Sequence, residues 1–124
     1  MSYAIQVSRL KKSYGGHAVL REIGFDVLKG ETFALLGVNG AGKTTALECI
    51  EGLRRYDGGS ITVNGSIGIQ LQSASLPAYI RPMEAVRLFA KWNHTEPNVP
   101  TLCALGIDTF AKKRYHELST GQKR

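Results

Sequence analysis

Apolar and polar residues alternate along residues 3–10, YAIQVSRL, a period of two that predicts a β-strand. A Gly-rich turn, KSYGGH, follows. Residues 22–38, EIGFDVLKGETFALLGV, read as two strands around a turn at Lys29-Gly30. The second, residues 32–36, is a short continuous apolar run, the pattern of a strand buried on both faces. KTTALECIEGLRR predicts a helix that ends near Gly52. DGGSITVNGSIGIQLQ predicts a turn and then two short strands, divided at Asn64-Gly65, a dipeptide that favours tight hairpins. After Gln72 the period becomes helical. PMEAVRLFAKWN places Met83, Val86, Phe89 and Ala90 on one face and Glu84, Arg87 and Lys91 on another, with Pro82 suited to the first turn. Asn98 caps a second predicted helix, VPTLCALG, and Gly106 stops it. Strands thus dominate up to about residue 72 and helices after it, with no repeats.

A chain of 124 residues is one domain at most, and 43% hydrophobic with 21% charged residues is globular composition. No apolar run approaches the ~18 residues of a membrane span, and the opening residues lack the apolar region of a secretory signal. Cys49 and Cys103 form neither a disulfide framework nor a metal cluster, and read as reduced, cytosolic thiols. The net charge of +6 comes from scattered groups: Lys11-Lys12, Arg54-Arg55, Lys112-Lys113-Arg114 and Lys123-Arg124. Without interleaved aromatics these read as solvated surface, and no nucleic-acid partner is expected. His17, His94 and His116 sit in polar stretches and read as surface residues without partners.

The informative segment is GVNGAGKTT. Gly37 and Gly42-Lys43-Thr44 fit the spacing Gly, four residues, Gly-Lys-Ser/Thr. A loop that wraps a phosphate with inward N–H groups needs positive φ and close backbone approach, which glycine allows. Gly37, Val38, Asn39, Gly40, Ala41 and Gly42 would form the cradle, followed by Lys43, Thr44 and Thr45. Lys43 would reach the β and γ phosphates, the Thr44 hydroxyl would ligate Mg²⁺, and the helix N-terminus would face the anion.

Many families share that loop. Here LLGVNGAGKTT resembles the Walker A segment of ATP-binding cassette (ABC) ATPases, and three further segments follow in that family's order. Tyr14 in KSYGG matches an aromatic residue that the resemblance implies stacks on adenine. Gln72 in IGIQLQ matches the Q-loop glutamine, implied to help hold Mg²⁺ and to face a membrane subunit. Leu118, Ser119, Thr120, Gly121 and Gln122, LSTGQ, resemble the signature LSGGQ, with Thr120 where the common pattern has Gly. The resemblance implies that this signature lies at a helix N-terminus and binds ATP held by a second ATPase subunit in a head-to-tail dimer.

The resemblance implies an α/β fold, a P-loop NTPase of ABC type. Residues 1–72 would hold an antiparallel β subdomain and part of a parallel core sheet with Walker A. Residues 73–124 would hold the start of a helical subdomain, up to the signature. The implied function is the ATP-binding subunit of an ABC transporter, with ATP and Mg²⁺ as cofactors and a transmembrane permease as partner, on the cytoplasmic face of the membrane. The wording of IGIQLQSASLP and ELSTGQKR points to export. The permease-facing segment starts at Gln72, with Leu76, Tyr79 and Ile80 as its exposed candidates. The family's Walker B Asp, catalytic Glu and switch His match nothing in these residues. The chain is therefore expected to be the N-terminal part of such an ATPase, catalytically incomplete alone. Two alternatives stand beside this: a soluble ABC ATPase acting on ribosomes or DNA, and a non-catalytic nucleotide-binding fragment. The compact interval between Gln72 and the signature favours the transporter.

Overall fold

The structure is a computed structural model that describes residues 2–71 and 75–124. Its first strand runs beyond the alternating segment, as β1 (Tyr3–Tyr14), and turns through Gly15-Gly16 into β2 (His17–Leu28). After the glycine loop of residues 37–42 and α1 (Lys43–Ile50), β3 (Gly58–Val63) pairs with the other edge of β1. The sheet is antiparallel throughout, in the order β2-β1-β3.

Spacing along the strands explains two irregularities. The buried Val7 and Leu10 are three residues apart, as are buried Leu20 and half-buried Ile23. A strict period of two would turn one of each pair away from the core. Each strand instead inserts an extra residue, and the register shifts between Val7 and Leu10 so that Leu10 meets Ile23. Arg9 and Glu22 take up the bulges with φ of 48° and 54°. Gly59 makes room for the first bulge, because a Cβ there would lie 2.3 Å from the Arg9 carbonyl oxygen. Against this sheet α1 lays Ala46, Cys49 and Ile50, the helical i, i+3, i+4 spacing. With Val7, Leu10 and Leu20 they form the core. Burial pushes the Cys49 thiol above its ordinary value.

Two expected strands are not formed. Residues 32–36 make no strand, and Leu36 is 91% exposed. A strand needs a neighbour to supply its hydrogen-bond ladder, and among the described residues none lies beside this segment. Phe33 stacks on Phe25 at 4.9 Å and Leu35 packs on the core instead. Nor does Asn64-Gly65 turn a hairpin: residues 66–71 are not a strand. Asn64 closes the β1–β3 ladder, its N–H donating to the Ala4 carbonyl (2.8 Å) and its Nδ2 to that of Tyr3 (3.1 Å). Those bonds outweigh the local turn preference.

Residues 1–70 and 71–124 are separate compact units. The second contains α2 (Pro82–Trp92), α3 (Val99–Ala104) and two 3-10 turns, Ile107–Phe110 and Tyr115–Glu117. Pro82 opens α2, and the Glu84 carboxylate accepts the Arg81 N–H at 2.8 Å. Asn98 caps α3 as expected, accepting the Thr101 N–H at 3.0 Å, and Gly106 follows with φ of 74°. On α2 the apolar face differs from the expected one. Ala85 is the buried residue, Met83, Val86 and Ala90 are half-buried, and Phe89 is exposed. Val86 and Phe89 border an open groove, so their surface is not covered. Among the described residues no helix is long and apolar enough to cross a membrane.

Candidate functional site

Residues 37–45 join the extended segment to α1. Gly40 and Gly42 take φ of 85° and 93°, a region side chains oppose. Gly42 is the N-cap of α1, and no side chain caps the helix. The first N–H groups of Lys43, Thr44 and Thr45 therefore have no acceptor within the helix. The loop closes on itself where the Ala41 N–H donates to the Val38 carbonyl at 3.1 Å. The Lys43 ammonium folds back over it, donating to the carbonyls of Gly37 and of Val38, the latter at 3.0 Å. Free N–H groups, the positive end of a helix and a tethered cation converge on one exposed loop. That combination suits a multiply charged anion such as a nucleotide's phosphates.

A side chain is opposed at Gly42 and would be tight at Gly37. A Cβ on Gly42 would lie 2.9 Å from Leu20 Cδ2 and 3.2 Å from Val19 Cγ1, and one on Gly37 would lie 3.1 Å from Ala41 Cβ. Strand β2 thus backs the loop directly. Thr44 is exposed at the start of α1, while Thr45 is half-buried. These residues fit a Mg-nucleotide: donors for the phosphates, and a hydroxyl free to meet a metal. Gln72, the other expected metal contact, lies outside the described residues.

Tyr14 stands at the end of β1, beside the hairpin turn, and is 40% exposed. Lys12 Nζ and Arg54 Cζ lie 5.1 and 5.5 Å from its ring centroid. Asp57 holds the Lys12 ammonium at 3.5 Å and accepts the Ser13 N–H at 2.7 Å. Arg54 Nε donates to Glu48 Oε2 at 2.5 Å, and this bond pushes the guanidinium above its ordinary value. Sequence reasoning placed Arg54-Arg55 on the solvated surface and missed this cluster. Its members are far apart along the chain, so no local spacing announces it.

In the second unit Leu118 is buried and Ser119 to Gln122 are exposed. The Ser119 N–H donates to Gln122 Oε1 at 3.0 Å, and the Gln122 N–H donates to Ser119 Oγ at 3.2 Å. The Lys123 N–H follows with a helical bond to the Ser119 carbonyl, 3.1 Å. This is a reciprocal capping box. Its Ser-x-x-Gln spacing was readable in LSTGQ as a capping signal. The Ser119 hydroxyl accepts from the backbone and keeps its own proton for another acceptor.

Of Leu76, Tyr79 and Ile80, only Tyr79 is exposed, at 71%. Leu76 and Ile80 are half-buried in an apolar groove of about 370 Å³, lined also by Ala85, Phe89, Phe110 and Leu118. The groove is pinned at one end by backbone bonds, Tyr115 N–H to Ile80 and His116 N–H to Ala78, at 2.8 and 3.0 Å. His116 is exposed but not without a partner. Its Nδ1 lies 2.8 Å from the Ala78 carbonyl, and its ring meets Tyr79 edge-on at 5.3 Å.

The family model described as ABC transporter matches residues 20–124. The chain is 33% identical over 138 aligned positions to the linearmycin resistance ATP-binding protein LnrL of Bacillus subtilis (strain 168), covering 97% of this chain and 44% of that protein. It is 31% identical over 141 positions to the phosphonates import ATP-binding protein PhnC of Halobacterium salinarum, covering 96% and 50%. A solved ATP binding subunit of an ABC transporter superposes with a TM-score of 0.81 at 26% identity, over 97% of this chain and 57% of that one. Proteins named for export and for import both occur among the similar sequences. The chain spans about half the length of the curated relatives it matches.

Proposed function

Because this chain belongs to the ABC transporter family, we propose that it is the ATP-binding part of a transport ATPase, coupling ATP hydrolysis to movement of a substrate across a membrane. The observation that carries this is the uncapped start of α1, with the Lys43 ammonium tethered over its glycine loop. Bound Mg-ATP supplies the phosphoryl group whose transfer to water drives transport. The chain's own residues bind and orient it. The N–H groups of residues 39–45 take the phosphates, Lys43 exchanges its loop carbonyls for phosphate oxygens, and the Thr44 hydroxyl with Gln72 meets the metal. Tyr14 offers its ring to the base. Ser119 and the Gly121 N–H, in a hydrogen-bonded turn, serve the ATP of a second ATPase subunit. Thr120 is compatible with that role, since it is exposed. Hydrolysis belongs to the whole protein.

We assign the direction as export, on the wording of ELSTGQKR and on the likeness to a resistance protein. The partner is a transmembrane permease that holds this subunit at the cytoplasmic face. Loss of the protein should then sensitise cells to one or more of a panel of toxic compounds. A nutrient requirement in its place would mark import. The nucleotide assignment is tested by titrating Mg-ATP into the full chain in a calorimeter. Lys43→Ala removes a charge-assisted contact of about 1.5–3 kcal/mol, so affinity should fall at least tenfold. Equal affinity in the two proteins would refute the assignment.

A further inference from the structure

The Tyr14 ring carries two cations that phosphate binding does not use. Both lie within the distance of about 6 Å at which an aromatic face attracts positive charge. They are held differently. Lys12 is two residues from Tyr14 on the same strand and face, so it moves with the ring. Arg54 arrives from beyond α1. Its Nε donates to the Glu48 carboxylate and its backbone N–H to the Glu48 carbonyl at 3.1 Å. Arg54 is therefore tied to α1 twice, once through its guanidinium and once through its backbone, and 39% and 29% of the two side chains are exposed. The helix that begins in the phosphate loop at Gly42-Lys43 thus carries, near its other end, the cation that sits on Tyr14.

We infer that Arg54, pinned by Glu48, is a positioning residue for the nucleotide base: it holds the Tyr14 ring in its base-receiving orientation and ties that orientation to α1. The inference rests on the reading of Tyr14 as the residue that stacks on the base. Arginine suits the task because its planar group stacks on a ring while its N–H fork stays on a carboxylate. Base placement and phosphate placement are then set by one rigid element.

The test compares Mg-ATP with inorganic tripolyphosphate, which has the phosphates and no base, by calorimetry on the full chain. Arg54→Ala should weaken ATP roughly two- to fivefold, the range of one exposed cation–ring contact, and leave tripolyphosphate unchanged. Arg54→Lys should restore part of the loss, keeping the charge without the fork. Glu48→Gln should shift affinity in the same direction as Arg54→Ala. In a Tyr14→Ala background, Arg54→Ala should have no further effect. The inference is overturned if Arg54→Ala leaves ATP affinity unchanged, weakens tripolyphosphate equally, or costs as much without Tyr14 as with it. If Tyr14→Ala itself leaves ATP affinity unchanged, the base-stacking reading falls and takes the inference with it.

Discussion

Single residues in the glycine loop act through what they omit as much as through what they present. Gly42 supplies both a φ of 93° and the absent Cβ that lets β2 back the loop. Gly42→Ala should therefore cost about 1–3 kcal/mol of backbone strain, before the contact with Leu20 is counted. A lowered thermal midpoint together with lost Mg-ATP binding is the expected result. Unchanged melting would show that the loop adapts. The proposed role of Tyr14 lies in its ring. Tyr14→Ala should weaken ATP by roughly 1–3 kcal/mol, the scale of base–aromatic stacking, while Tyr14→Phe changes little. A large loss with Phe would mean that the hydroxyl, not the ring, makes the contact. The loop was legible because its chemistry is local: nine consecutive residues hold the turn, the cation and the hydroxyl. Arg54 was not, because its role depends on Glu48 and on a ring forty residues earlier in the chain.

At the scale of elements, caps and bulges decide where strands and helices begin and bend. Asn98→Ala removes the acceptor of the Thr101 N–H and should destabilise the unit of residues 71–124 by about 1 kcal/mol in denaturant melts. No change would show that α3 is held by packing alone. At Gly59 a methyl group would meet the Arg9 carbonyl, so Gly59→Ala should break the β1–β3 register. Amide exchange across Ile61 and Thr62 would report this as lost protection. Helices α2 and α3 were readable because proline, asparagine and glycine mark their ends. The bulges at Arg9 and Glu22 were not, since alternation alone does not say where an extra residue enters. Residues 32–36 show the opposite failure. Their apolar run has the composition of a strand, but composition supplies no partner for the ladder.

For the whole molecule, Glu22, Glu117 and Cys49 contribute to the response to pH. The hydrogen bond and charge of Lys11 hold Glu22 below its ordinary 4.5, and the Arg114 N–H does the same for Glu117. A carboxylate depressed in the folded state stabilises it above the unfolded value, and that contribution is lost as pH falls from 4.5 through the folded value. Both groups are exposed, so solvent screening keeps this acid arm shallow. Burial raises Cys49 above 9.0. Its contribution is present below 9.0 and is lost as pH rises through the folded value. Thermal midpoints should thus fall as pH drops below 4.5 and as it rises above 9.0, and Cys49→Ala should flatten the alkaline arm. An unaltered alkaline arm in that variant would assign it to another group. The sequence by itself determined the glycine loop ahead of α1 and the helices of residues 82–92 and 99–104, because each depends on spacings within one or two turns of chain. Only the tertiary structure decided that Asn64 would close a ladder instead of turning a hairpin, that Leu76 and Ile80 would line a groove, and that Arg54 would sit on Tyr14. Each of those outcomes sets a local preference against bonds and burial offered by distant residues, and the distant residues prevail because they satisfy more of the backbone and cover more apolar surface than the local turn can.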